Sequence, residues 1–258
     1  MKLEAKWNSR HAWPCALAMV VLAEVMNRAL QMAAHISISF AHWWIAHPNF
    51  IQGFLLISRS MLWLLFCFGF ARVRSIRVFI QDTGLGQRPG LLGWSVAWIG
   101  VGIGLIAIYG TWTGRIPPNR LSRSFFYAGW ASQVFFVAYA VLLGPFAEEL
   151  AMRGFLYRAF RGSYGTVLST TLVLCVHLYF HWGLLSRSLY TLACIESLEI
   201  VLCALRERKE NTWNCVLCHA AYNAVQNSYW QIWLVGIFLL LPYCLSRTRQ
   251  PLDKAPHE

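Results

Sequence analysis

Three short motifs place ionisable or amide side chains inside long apolar stretches, where such groups are costly and become candidates for a functional role. They are Glu148-Glu149-x-x-x-Arg153, His177-x-x-x-His181 and His219-x-x-x-Asn223. A carboxylate removed from water becomes a stronger base, and an imidazole beside it helps to hold and deprotonate a water molecule. A second imidazole and a carboxamide can donate hydrogen bonds to a developing oxyanion. Together these residue types suit the attack of water on an amide carbonyl.

Helical spacing assigns different surroundings to the two adjacent glutamates. Residues four apart share a helix face, so Glu149 and Arg153 are predicted to form an ion pair, with the acid in the favourable N-terminal position. Glu148 lies roughly 100° around the helix and lacks that partner, which makes it the candidate general base. Pairing of Glu148 with Arg158 or Arg161 at the membrane interface is the competing interpretation.

The other two motifs also form stripes on single helix faces. His177 and His181 share one face, as do His219 and Asn223, so three helices can direct polar groups into one cavity. His181 is expected to pack or hydrogen-bond beside Trp182. His219 and Asn223 could instead join helices as interhelical hydrogen-bond partners. No serine, cysteine or threonine occupies a triad arrangement, which disfavours covalent catalysis.

Composition predicts that membrane-spanning helices position these motifs. Of 258 residues, 57% are hydrophobic and 13% are charged, whereas soluble domains carry about 25% charged residues. Apolar stretches near the roughly 20 residues of a transmembrane helix recur along the chain. We expect an all-α, polytopic bundle of about eight spans, near 12–33, 50–70, 91–109, 128–150, 164–185, 188–205, 213–228 and 229–247.

Basic residues alternate between the predicted loops. With the N-terminus inside, the inner segments, including 71–90 and 153–163, contain sixteen Lys and Arg residues, and the outer loops contain four. This asymmetry predicts a multi-pass protein of the cytoplasmic membrane with both termini in the cytoplasm. Tryptophans near span ends fit the membrane interfaces: Trp43, Trp44, Trp182 and Trp230.

The net charge of +11 does not indicate nucleic-acid binding, because the basic residues lie in short segments between apolar stretches and form no recognisable motif. Contact with anionic lipid explains them better. The eight cysteines fall in or beside apolar stretches and are expected to be reduced and structural. Cys215 and Cys218 form a C-x-x-C without a second pair, which gives little support to a redox or zinc role.

Residues 146–156, FAEELAMRGFL, resemble the E-E-x-x-x-R signature of the CAAX protease and bacteriocin-processing family, also called the CPBP or Abi family. The run from His219 to Asn223 matches the H-x-x-x-N segment of that family, and residues 211–214 resemble its usual lead-in. The second family motif, F-x-x-x-H, is aligned on His177, where Val173 replaces the aromatic residue. The resemblance covers about residues 140–225.

The resemblance implies an eight-helix intramembrane endopeptidase with a conical cavity open to the cytosol. Glu148 would activate water with help from His177, while His219 and Asn223 would stabilise the oxyanion. Peptides or lipidated proteins, including prenylated CAAX termini, are the implied substrates. No cofactor is required in the best-understood mechanism of this fold, although zinc held by Glu148, His177 and His219 is an alternative with acceptable ligand types.

The predicted organisation has three parts: N-terminal transmembrane helices at 1–127, a catalytic core at 128–247 and a cytoplasmic tail at 248–258. Two other functions remain open. Because Val173 departs from the family pattern, the chain could be a catalytically silent scaffold, immunity factor or regulator. The acids Glu24, Glu196 and Glu199 suggest a transporter as the second alternative, but no inverted repeat is visible. The last two acids are expected to pair with Arg28 or Arg59, or to mark an ion path.

Overall fold

The computed structural model describes residues 7–39, 42, 48–73, 75–86, 91–113, 130–181, 188–209 and 211–227, and this part of the chain is helical without strands. The all-α prediction is confirmed. The described residues form eight helices, which are α1 (Ser9–Ile36), α2 (Pro48–Ala71), α3 (Ile76–Asp82), α4 (Leu91–Trp112), α5 (Trp130–Arg161), α6 (Thr166–Phe180), α7 (Leu189–Lys209) and α8 (Thr212–Asn227).

Three of these helices are long and apolar enough to cross a membrane: Ser9–Ala33 within α1, Gly53–Ala71 within α2, and Trp130–Arg161, which is α5. Shorter apolar segments occur at Ser95–Gly110 in α4 and at Thr166–Phe180 in α6. About eight spans are therefore not confirmed. The predicted span 229–247, the tail 248–258 and the four tryptophans expected at interfaces lie outside the described residues.

Local sequence explains where α1 begins and how it meets α2. Asn8 caps α1, because its side chain accepts a hydrogen bond from the Arg10 N–H while the His11 ring accepts one from the Asn8 N–H. Trp7 then donates its indole N–H to the carbonyl of Ala71 at 3.2 Å, which satisfies an acceptor at the end of α2. The first two helices are thus joined at the same end of the bundle.

Helix α5 continues well beyond the predicted span 128–150. Segment 153–163, expected to be a loop, remains helical through Arg161, because it contains no proline, and the helix ends at Gly162. Arg153, counted with the inner loops, is instead fully buried. Two π-helical segments, Tyr139–Leu143 and Leu150–Tyr157, flank the turn Gly144–Glu149 that contains the glutamates.

Helices α4 and α8 pack with their backbones almost in contact. A Cβ atom added to Gly100 would lie 1.9 Å from the carbonyl oxygen of Cys218, and one added to Gly104 would lie 2.9 Å from Cβ of Val225. Such Gly-x-x-x-Gly spacing is typical of closely packed membrane helices. The predicted seventh span is therefore a 16-residue central helix, and nearly all of its described side chains are buried or half-buried.

Candidate active site

Glu149 and Arg153 form the ion pair that their spacing predicts. The Nη1 atom of Arg153 lies 3.1 Å from Oε1 of Glu149, and both side chains are completely buried. Glu148 points in a different direction and keeps 14% of its side chain exposed. The two adjacent acids of α5 therefore have different surroundings, one enclosed and neutralised by a cation on the same helix, the other partly exposed.

Arg153 also binds an acid on a second helix. Its Nη2 atom donates to the carboxylate of Glu199 on α7 and, at 3.2 Å, to the backbone carbonyl of the same residue. The expectation that Glu199 pairs with Arg28 or Arg59 is wrong. Arg28 instead forms the i,i+4 pair with Glu24 at 2.7 Å. A buried guanidinium pairs with nearby buried carboxylates because a buried charge without a counter-charge is very costly.

His219 on α8 lies beside both glutamates of α5. Its Nδ1 atom is 2.7 Å from Oε1 of Glu149, and its Nε2 atom is 3.8 Å from Oε2 of Glu148. Because Glu149 is held by Arg153, its carboxylate acts as an acceptor and fixes the proton of the neutral imidazole on Nδ1. The Nε2 atom is then an acceptor that faces the second carboxylate across a gap.

Asn223 occupies the next turn of α8 and compensates for a missing backbone donor. The N–H of Gly144 bonds to the carbonyl of Tyr139, five residues earlier, as in a π-helix. The same register would pair Ala140 with Pro145, which has no N–H. The Nδ2 atom of Asn223 donates to the carbonyl of Ala140 at 2.8 Å and fills this place. One amide hydrogen of Asn223 therefore has a structural role.

His177 on α6 faces the acids of α7 instead of Glu148. Its Nδ1 atom lies 3.3 Å from Oε1 of Glu196, and its Nε2 atom lies 3.5 Å from Oε1 of Glu199. The His181 ring stacks on it at a centroid distance of 4.2 Å and approaches the His177 carbonyl through Nδ1 at 3.2 Å. Within the described part, the imidazole beside Glu148 is that of His219 and not that of His177.

The partner of Glu148 comes from α2. Its Oε1 atom lies 3.5 Å from Nη2 of Arg59, which also lies over the ring of Trp63 at 5.0 Å. The alternative pairing of Glu148 with Arg161 is wrong, because Arg161 binds Glu207 at 2.8 Å. Arg158 is likewise directed elsewhere, over the ring of Trp7 at 5.9 Å.

A metal ion fits this site poorly. Among the described residues, the ligand atoms of Glu149, Glu199 and His219 lie within 4.8 Å of one another, whereas the zinc alternative with Glu148 and His177 forms no such cluster. The guanidinium of Arg153 already binds both carboxylates of the former group. A divalent cation there would be opposed by a buried positive charge, so no catalytic step is assigned to a metal.

The site therefore contains two acceptors, Glu148 and Nε2 of His219, separated by more than a hydrogen bond. A water molecule beside both atoms could donate one hydrogen to each, which leaves an oxygen lone pair for attack on a carbonyl. Sequence reasoning noticed Arg59 and Glu199 without assigning them to this site. Their signal was a charge in the middle of an apolar stretch, but their partners lie 89 and 46 residues away in the chain.

A family model described as type II CAAX prenyl endopeptidase Rce1-like matches residues 130–225. The match contains α5 to α8 and all three motifs, so the family resemblance is confirmed for this segment. No curated protein and no solved structure matches the chain. Together with the three apolar helices, the family match identifies an integral membrane protein.

Proposed function

We propose that this chain, whose residues 130–225 match the type II CAAX prenyl endopeptidase Rce1-like family, is an intramembrane endopeptidase. It would hydrolyse a peptide bond near the C-terminus of a membrane-associated substrate of the prenylated CAAX type. The observation that carries this proposal is the 3.8 Å gap between Glu148 and Nε2 of His219, with the opposite side of the imidazole fixed by Glu149.

Water beside these two atoms would donate to both acceptors and attack the peptide carbonyl. Glu148 takes the proton from the attacking water and returns it to the leaving amine when the C–N bond breaks. His219 holds the water in line, and Glu149 holds His219 in the required tautomer, as an acid orients histidine in other hydrolases. The second amide hydrogen of Asn223 is the expected donor to the oxyanion.

The residue that assists Glu148 in this proposal differs from the one that the family resemblance implies. The histidine that assists Glu148 is His219, because the ring nitrogens of His177 both face acids on α7. His177 becomes a positioning residue that acts through Glu199, which in turn holds Arg153. The reaction needs no metal in this form.

The engagement of His177 also favours a second candidate function. A chain in which the histidine of the second motif does not approach Glu148, and in which Val173 replaces the aromatic residue, could be a proteolytically silent scaffold, immunity factor or regulator. Peptides or lipidated proteins would still be its partners in the bilayer.

The deciding experiment measures cleavage of a quenched, farnesylated peptide by the purified protein in proteoliposomes. Glu148→Gln keeps the size of the side chain but not its basicity, so turnover is expected to fall at least about 100-fold. Glu207→Gln, in a half-exposed pair with Arg161 away from the site, is the matched control and should retain turnover. Normal cleavage by Glu148→Gln would overturn the mechanism, and absence of cleavage by the unaltered protein would favour the silent scaffold.

We further propose that the chain crosses the cytoplasmic membrane several times with both termini in the cytoplasm. The excess of Lys and Arg in alternate loops supports this orientation. Reporter fusions at both termini and in the predicted outer segment 110–127 would test it, with a cytoplasmic signal expected from the termini and an external signal from that segment.

A further inference from the structure

A cavity of about 370 Å³ lies between α1, α2 and α6, next to the candidate active site. Much of its wall is apolar, with Ala23 and Met26 from α1, Leu55 and Leu56 from α2, and Phe180 from α6. Two charged side chains line it, Glu24 and Arg59. Arg28 binds Glu24 at 2.7 Å, and the cation in the wall is Arg59.

Arg59 is the one charged residue in the apolar segment Gly53–Ala71. An arginine within such a span is a candidate functional group because burying its charge in the membrane is costly. Its side chain keeps 29% of its surface exposed and lines the cavity. The same guanidinium reaches Glu148, which connects the cavity with the carboxylate that would activate water.

The hydrogen-bonding capacity of Arg59 is only partly used within the described part of the chain. Its contact with Glu148 is 3.5 Å long, at the outer limit of a hydrogen bond. Its Nε atom is buried and has no hydrogen-bond partner there. A guanidinium has five N–H donors in a planar fork that matches a carboxylate, and Trp63 holds this plane from one side.

We infer that Arg59 binds the free C-terminal carboxylate of the peptide substrate, while the apolar side chains next to that carboxylate pack in the cavity. This inference rests on the proposed function. A carboxylate on Arg59 would lie roughly 8 Å from Glu148, a distance that two or three extended residues cover. Arg59 thereby selects a chain end over an internal peptide segment and sets how far from that end the cut occurs.

The test separates binding from cleavage. Two farnesylated peptides of the same sequence are compared, one with a C-terminal carboxylate and one with a C-terminal amide. Their dissociation constants are measured by fluorescence anisotropy with the Glu148→Gln protein in phosphatidylcholine nanodiscs, where no turnover interferes. We expect the carboxylate peptide to bind about 10-fold more tightly, and adding Arg59→Gln to reduce its affinity to that of the amide.

Two further variants show whether a loss of preference is specific. Arg59→Lys keeps a cation in the span but lacks the planar fork, so an intermediate preference is expected, and this would show that folding is retained. Arg161→Gln removes a cation paired with Glu207, and neither residue lines this cavity, so the preference should be unchanged. Equal binding of both peptides before Arg59 is altered, or a preference that survives Arg59→Gln, would overturn the inference.

A lipid headgroup is the other anion available to Arg59. If phosphatidylglycerol in the nanodiscs abolishes the carboxylate preference, Arg59 is a headgroup site and the inference is wrong. In the active protein, Arg59→Gln should raise KM for the carboxylate peptide more than it lowers kcat. Because the binding measurements require no turnover, a protein that binds as expected but never cleaves would refute only the proposed function.

Discussion

The Nδ1 atom of His219 lies 2.7 Å from Oε1 of Glu149, and this contact joins the motifs of α5 and α8 in one site. Glu149 is the acid that cannot serve as the base, because Arg153 already holds it. The opposite nitrogen of the imidazole faces Glu148 at 3.8 Å. Two adjacent acids thus have separate tasks, one orienting an imidazole and the other accepting a proton.

The two histidines are expected to differ in their effect on turnover. His219→Gln removes the imidazole opposite Glu148, so kcat/KM should fall at least about 100-fold. His177→Gln disturbs Glu196 and Glu199, and its effect should be clearly smaller. Cleavage of the farnesylated peptide in proteoliposomes provides the measurement, with melting temperatures to compare folding. A larger loss of kcat/KM in His177→Gln than in His219→Gln would favour His177 as the partner of Glu148.

Arg153 is expected to dominate the stability of the site. Arg153→Met leaves Glu149 and Glu199 buried without their cation, which should lower the free energy of unfolding by about 3–5 kcal/mol. Adding Glu149→Gln and Glu199→Gln removes both uncompensated charges and should restore much of this loss. Unfolding in mixed detergent would measure both effects. Arg161→Met, in a half-exposed pair with Glu207 outside the apolar core, is the control and should cost less than about 1 kcal/mol.

The hydrogen bond from Asn223 to Ala140 gives a prediction for a pair of substitutions. Asn223→Ala leaves a carbonyl without its donor and should destabilise the protein by about 1–3 kcal/mol. Pro145→Ala supplies a backbone N–H in the π-helical register, so the double variant should regain stability. If Asn223 also binds the oxyanion, the double variant remains inactive. A double variant no more stable than Asn223→Ala would show that Pro145 is not the reason why the Ala140 carbonyl lacks a backbone donor.

The ion pair between Arg161 and Glu207 predicts a dependence on acid outside the apolar core. Hydrogen bonds from Arg161 and Tyr157 hold the pKa of Glu207 below its ordinary value. The stabilisation is therefore present above about pH 4.3, the ordinary glutamate pKa, and is lost as pH falls through the lower folded pKa. Melting temperatures of the unaltered protein and of Glu207→Gln should differ at pH 7, and the difference should shrink as the pH falls below about 4.3. A difference that persists in acid would contradict this account.

Sequence patterns predicted those parts of the site that lie on a single helix. Glu149 and Arg153, like Glu24 and Arg28, are four residues apart, so helical geometry alone brings each pair together. The different direction of Glu148 follows from the same geometry. The bundle as an all-helical structure follows from the apolar stretches, which the described helices largely match.

Contacts between helices were not predictable in the same way. The partner of Glu148 is Arg59, 89 residues earlier, and Glu199 meets Arg153 across 46 residues. No periodicity along one helix specifies which faces of two helices meet. The end of α5 was also misjudged, because hydropathy falls at Glu148 while the backbone hydrogen bonding continues to Arg161.

The contact of Gly100 with the carbonyl of Cys218 limits which helices can move apart to admit a large ligand. Cys218 immediately precedes His219, so any roll of α8 that displaced the imidazole would drive two main chains into each other. The packing of α4 against α8 is therefore expected to be rigid. Under the proposed function, space for a lipid-modified substrate would come from the other side, where the cavity lies between α1, α2 and α6.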